Sequence, residues 1–138
     1  MRPFLFLSLS VIIILSCNLN QSNGEAEYAL KKLHTEVMDI HDEVMPKMSS
    51  INKLDRQLKQ RLKDPDVVKK DTIQQLIYQL EEADDAMMNW MSAFKKPDYA
   101  NFEAAQQLYA SEKEKIIVVR NKMNSTISKA QVFLKDNE

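Results

Sequence analysis

The chain has 138 residues, a formal net charge of −1 and charged residues of both signs making up 28% of it. That balance gives no basic footprint for nucleic acid, and the length suits one domain with one core. A single cysteine excludes an intramolecular disulfide, and one glycine with four prolines leaves too few turn formers for a many-stranded fold. Richness in Lys, Glu, Gln, Ala, Leu and Met predicts an all-α protein built from a few long helices.

In chain order, Arg2 precedes an apolar segment over 4–15, which breaks into Ser16 and then Cys17, followed by polar Asn18-Leu19-Asn20-Gln21-Ser22-Asn23-Gly24. The segment is about a dozen residues, short of the roughly 20 that a membrane-spanning helix needs. It reads as a secretory signal peptide over 1–16. Ile14-Leu15-Ser16-Cys17 resembles the lipobox of bacterial lipoprotein precursors. That resemblance implies lipidation (diacylglyceryl and palmitate chains) at Cys17, cleavage of the Ser16-Cys17 bond, and a membrane anchor in the bacterial cell envelope. The absence of an acidic residue at Asn18 then points to the outer membrane, facing the periplasm. An ordinary secretory signal with an incidental cysteine is the competing reading. Cleavage would leave about 122 residues. The formal charge would fall to about −2 with the loss of Arg2.

Residues 17–24 read as a lipidated, flexible tether. The domain over 25–138 is expected to be an antiparallel three-helix bundle with long coiled-coil-like helices at about 25–63, 66–94 and 99–135. In the first, Leu30, Leu33, Val37, Ile40, Val44, Met48, Ile51, Leu58 and Leu62 recur at steps of three, four or seven. Pro46 lacks a donor and clashes with the Asp42 carbonyl, so a kink is expected near Met45. The second helix starts either at an Asp64 cap with Pro65, or at the capping-box pattern beginning Asp71-Thr72. Its stripe is Ile73, Leu76, Ile77, Leu80, Ala83, Met87, Met91 and Phe94, and Pro97 stops it. Asp98 is the expected cap of the third, whose stripe runs Phe102, Ala105, Leu108 or Tyr109, Ile116, Val119, Met123, Ile127, Ala130 and Phe133. Glu112, Lys113, Glu114 and Lys115 read as its solvated face. The outer helices exceed the middle one in length, so their ends should expose apolar surface unless something covers it.

Two patterns bear on chemistry. His34-Thr35-Glu36-Val37-Met38 recurs one heptad later as His41-Asp42-Glu43-Val44-Met45. A hairpin near 63–67 would set Met45 level with Met87, so that His34, His41, Met45 and Met48 meet Met87, Met88 and Met91 beside Trp90. Thioethers and imidazoles are ligands for Cu(I). Methionine equally fills irregular cores, and packing is the favoured reading. The acidic run Glu81, Glu82, Asp84 and Asp85 reads as a solvated helix face. Asn124-Ser125-Thr126 matches a glycosylation acceptor, which carries no weight in a bacterial chain. The sequence offers no phosphate loop, zinc set or catalytic triad pattern, so no catalytic residues are assigned and no enzyme is expected.

Two stretches, His41-Asp42-Glu43-Val44-Met45-Pro46-Lys47-Met48 and Ala83-Asp84-Asp85-Ala86-Met87-Met88-Asn89-Trp90-Met91, resemble short bacterial lipoproteins of unknown function labelled as viral A-type inclusion or coiled-coil proteins. The resemblance implies the helical architecture and no activity. Two functions are expected to compete. One is a lipid-anchored, non-enzymatic helical envelope module that binds another envelope protein or itself. The other is an envelope copper-handling protein using the His/Met cluster.

Overall fold

The computed structural model describes the backbone of residues 18–65 and 67–137, with side chains from residue 24 onward. The signal, the lipobox and Cys17 lie outside the described residues. The architecture is all-α, as the composition predicts: α1 (Asn18–Val44), a 3-10 turn (Met45–Lys47), α2 (Met48–Arg61), α3 (Lys70–Ala93) and α4 (Phe102–Asp136). No strand occurs among the described residues. α1 and α2 continue one another as a single kinked rod, α3 returns antiparallel to it, and α4 runs parallel to it again.

The kink falls where proline chemistry puts it. Pro46 cannot donate to the Asp42 carbonyl, and the chain takes up the missing bond with a 3-10 turn, after which the Ser49 hydroxyl donates to the Pro46 carbonyl at 2.8 Å. The buried face nevertheless keeps its phase across the break: Leu30, Val37, Val44, Ile51 and Leu58 are all buried, each seven residues after the last. α3 buries Ile73, Leu76, Leu80, Ala83, Met87 and Trp90, and α4 buries Ala105, Tyr109, Glu112, Ile116, Val119, Met123, Thr126 and Ala130. Steps alternating three and four are the a and d positions of a coiled coil, which seat side chains of one helix between those of the next.

With a and d assigned, the flanking e and g positions account for the polar contacts. Glu36 and Glu43, at g of α1, take Lys113 and Arg120, at e of α4, at 2.7 and 3.6 Å. Lys47 Nζ donates to Asn124 Oδ1 at 2.7 Å with the same 77-residue offset as Glu36 and Lys113, and Arg61 donates to the Asn137 carbonyl at an offset of 76. The rod and α4 therefore stay in parallel register from end to end. On the antiparallel sides, Lys59 bridges α2 to Glu81 of α3 at 2.7 Å, and Lys122 bridges α4 to Glu82 at 3.1 Å.

Four expectations are corrected. α1 begins at Asn18, so residues 18–24 are helical where a tether was expected, and nothing lies within 4 Å of a Cβ built at Gly24. α3 begins at Lys70, after Lys69 in a left-handed conformation (φ 61°). Asp64 does not cap it, and Asp71 lies inside its first turn. The cap of α4 is Asn101, whose Oδ1 accepts from Ala104 N at 3.1 Å, while Asp98 closes a local turn by accepting from Ala100 N at 2.9 Å. Finally, Glu112 is not on the solvated face. It is 5% exposed at a d position, with Lys115 Nζ at 2.8 Å from its carboxylate.

Candidate functional site

α3 has 24 residues against 35 in α4, about 36 Å against about 52 Å. Above its end the connection over 94–101 folds back over the gap. Phe94 packs on a second apolar cluster of Leu30, Ala105 and Tyr109, and the Tyr99 and Tyr109 hydroxyls lie 2.9 Å apart. Burial, and then that hydroxyl contact, push the Tyr109 phenol well above its ordinary range. The unmatched ends expected to expose apolar surface are thus partly covered by the chain itself.

The e flank of the rod faces the e flank of α3, and this seam receives most of the residues singled out for chemistry. His34 packs on Phe94 and edge-on to Tyr109, at ring-centroid distances of 6.4 and 5.5 Å. One heptad on, His41 lies 5.8 Å from the Trp90 ring and donates through Nδ1 to Asp42 Oδ1 at 2.8 Å. Trp90 continues the stack to Phe94 at 5.1 Å, with its indole Nε1 buried and without an acceptor in the protein. Met48 and Met91, at e of α2 and of α3, are half-buried against the core.

The other methionines diverge. Met87 is fully buried at an a position, whereas its neighbour Met88 is 50% exposed and Met45 is 36% exposed, both at b. His41 reaches Trp90 across the seam. The seven residues nevertheless point in three directions: into the core, into the seam and into solvent. Among the described residues, no three or more His, Cys, Asp or Glu side chains group so as to hold a metal ion. The His34 and His41 rings lie against Phe94, Tyr109 and Trp90 as parts of an aromatic seam.

Sequence reasoning passed over three features. Glu112 continues the stripe three residues after Tyr109 and four before Ile116, and only its charge hid it. Asp84, counted with a solvated run, stands at e of α3 with Oδ1 buried and unpartnered, and the same is true of Asp55 Oδ1 at e of α2. The third is the outer face of α4. Its b, c and f positions between Ile117 and Val132 are Ile117, Val118, Asn121, Asn124, Ser125, Ser128, Gln131 and Val132, eight residues with no charge in a chain that is 28% charged. Val118 and Val132 are 66% and 55% exposed. The corresponding faces of α2 and α3 carry Lys53, Arg56 and Lys59, and Glu81, Glu82 and Asp85.

Fold and flanks together define an all-α bundle with coiled-coil packing. No helix of the described residues is long and apolar enough to cross a membrane. No protein-family model, curated protein or solved structure matches the chain.

Proposed function

We propose that this chain is a lipid-anchored, non-enzymatic module of the bacterial cell envelope, whose outer α4 face docks on another envelope protein or on a second copy. The observation that carries the reading is the uncharged outer band from Ile117 to Val132, with Val118 and Val132 exposed two heptads apart. Exposed helix faces are normally charged, and a contiguous face without charge marks surface meant to be covered. The anchor fits the same picture. The described helix α1 already includes Asn18, so acyl chains on the neighbouring Cys17 thiol would hold a helical rod close to the membrane. The methionines and histidines are read as packing.

The test is a photo-crosslinking residue placed at Ser125 in the intact chain, in cells. A discrete crosslinked species at Ser125, missing when the same residue replaces Asn89 on the outer face of α3, is the expected result. Equal, diffuse labelling at both positions would contradict the docking face.

A further inference from the structure

The e flanks of α2 and α3 face one another in antiparallel order, and Lys59 bridges them to Glu81 at 2.7 Å. Asp55 lies one turn before Lys59 on α2, and Asp84 lies one turn after Glu81 on α3, so the two acids lie on the same side of the bridge, each one turn from it. One heptad either side of them on the same flanks stand Met48 on α2 and Leu62 at its C-cap, and Ile77 and Met91 on α3. Ile77 is buried, and Leu62, Met48 and Met91 are half-buried against the core. A pair of like-charged side chains thus occupies the middle of an otherwise apolar flank.

Each of these acids also carries an unmet bonding requirement. Lys59 Nζ lies 3.0 Å from Asp55 Oδ2, but Asp55 Oδ1 is buried with no hydrogen-bond partner in the protein, and Asp84 Oδ1 is in the same condition. Two ionised carboxylates can only accept, so neither oxygen can satisfy the other. Leaving a buried polar atom unpaired is costly, and two carboxylates that share a site resist ionising together.

We propose that Asp55 and Asp84 form a proton-operated clasp between α2 and α3. When both are ionised they repel across the seam. On acidification Asp84 takes one proton from solvent and donates the resulting O–H to Asp55, which satisfies both buried oxygens and draws the helices together. The charged groups around the pair are Lys59 on α2 and Glu81 and Asp85 on α3; α4 directs its cation Lys122 to Glu82. Lys59 is held by Asp55 and Glu81, which leaves Asp84 as the member without a cation.

Burial first, then Asp85 and Asp55, raise the Asp84 carboxyl above its ordinary 3.8. A carboxyl whose pKa is higher folded than unfolded binds its proton more tightly in the native state. Its stabilisation is therefore fully present below pH 3.8 and is lost as pH rises through the folded value.

The experiment compares thermal unfolding of the full chain with that of Asp84→Asn, Asp55→Asn and Asp85→Asn as pH is lowered from neutrality to below 3.8. Asparagine at 84 supplies a permanent donor in place of the acid proton. Asp84→Asn is expected to melt above the parent at neutral pH, with the difference shrinking to nothing on acidification. Asp55→Asn should also melt above the parent at neutral pH, because it removes the repulsion. The exposed Asp85→Asn should retain the dependence on pH. A difference between Asp84→Asn and the parent that does not vary with pH, or an Asp84→Asn protein that melts below the parent at neutral pH, overturns the proposal.

Discussion

Lys113 Nζ lies 2.7 Å from Glu36 Oε2, joining residues 77 positions apart in the chain. The pair spans the g position of one helix and the e position of a parallel neighbour, the flank that sets register in parallel coiled coils. The Lys113 hydrogen bond, and then its charge, hold the Glu36 carboxyl below its ordinary value of 4.5. A carboxyl whose folded pKa is depressed contributes stability above its unfolded pKa and loses it as pH falls through the folded value. The parent should therefore melt above Glu36→Gln at neutral pH, with the gap closing on acidification below 4.5. Salt should narrow the same gap, since the pair is only part-buried and still open to solvent ions. A gap that responds to neither acid nor salt would remove this contact from the account.

Leu80 is fully buried in the middle of α3. Leu80→Ala should cost about 2–5 kcal/mol through lost burial and the cavity left behind. Met87→Leu, at an equally buried a position, should cost under about 1.5 kcal/mol, because volume is conserved. Urea unfolding followed by circular dichroism measures both, and a Leu80→Ala protein as stable as the parent would show that α3 does not line the core.

The heptad stripes are where sequence and structure agree most closely. Val37, Val44, Ile51 and Leu58 were legible because apolar side chains at a strict spacing have one physical use, and Pro46 was legible because its missing donor acts locally. The caps were not. Asp64, Asp71, Asp98 and Asn101 can all start a helix, and the choice depends on tertiary contacts such as the Tyr99 and Tyr109 pair, which no local pattern contains. Glu112 and Asp84 escape a reading by charge for one reason: charge suggests exposure, while their place in the heptad sets them at d and at e. The His/Met group failed as a unit because level residues on facing helices still point apart when they occupy a, b and e.

Lys69 holds a left-handed conformation that disfavours any side chain, and its ammonium reaches Asn137 Oδ1 at 2.8 Å. Glycine and alanine both remove that contact, so comparing the two isolates the backbone. Lys69→Gly should be more stable than Lys69→Ala by about 1 kcal/mol. Equal stability of the two variants would mean that the left-handed turn is not kept in solution.

Cu(I) separates packing from coordination at the His/Met seam. A ligand that binds only the native state stabilises it by about 2.7 kcal/mol at a hundredfold excess over its Kd. The packing role predicts no copper-dependent rise in melting temperature, and stability at Met87 and Met91 that follows side-chain volume and not sulfur. A copper-dependent rise that disappears when His41→Gln and Met45→Leu are combined would replace the docking module with a copper protein.

The central claim is that this bundle is tethered to a membrane through Cys17. Metabolic labelling of cells with a radioactive fatty acid, followed by recovery of the protein, tests it most directly. The account predicts a labelled, membrane-associated parent and an unlabelled Cys17→Ala variant, because the proposed acylation site is the Cys17 thiol. Label retained by Cys17→Ala, or an unlabelled parent, would contradict it.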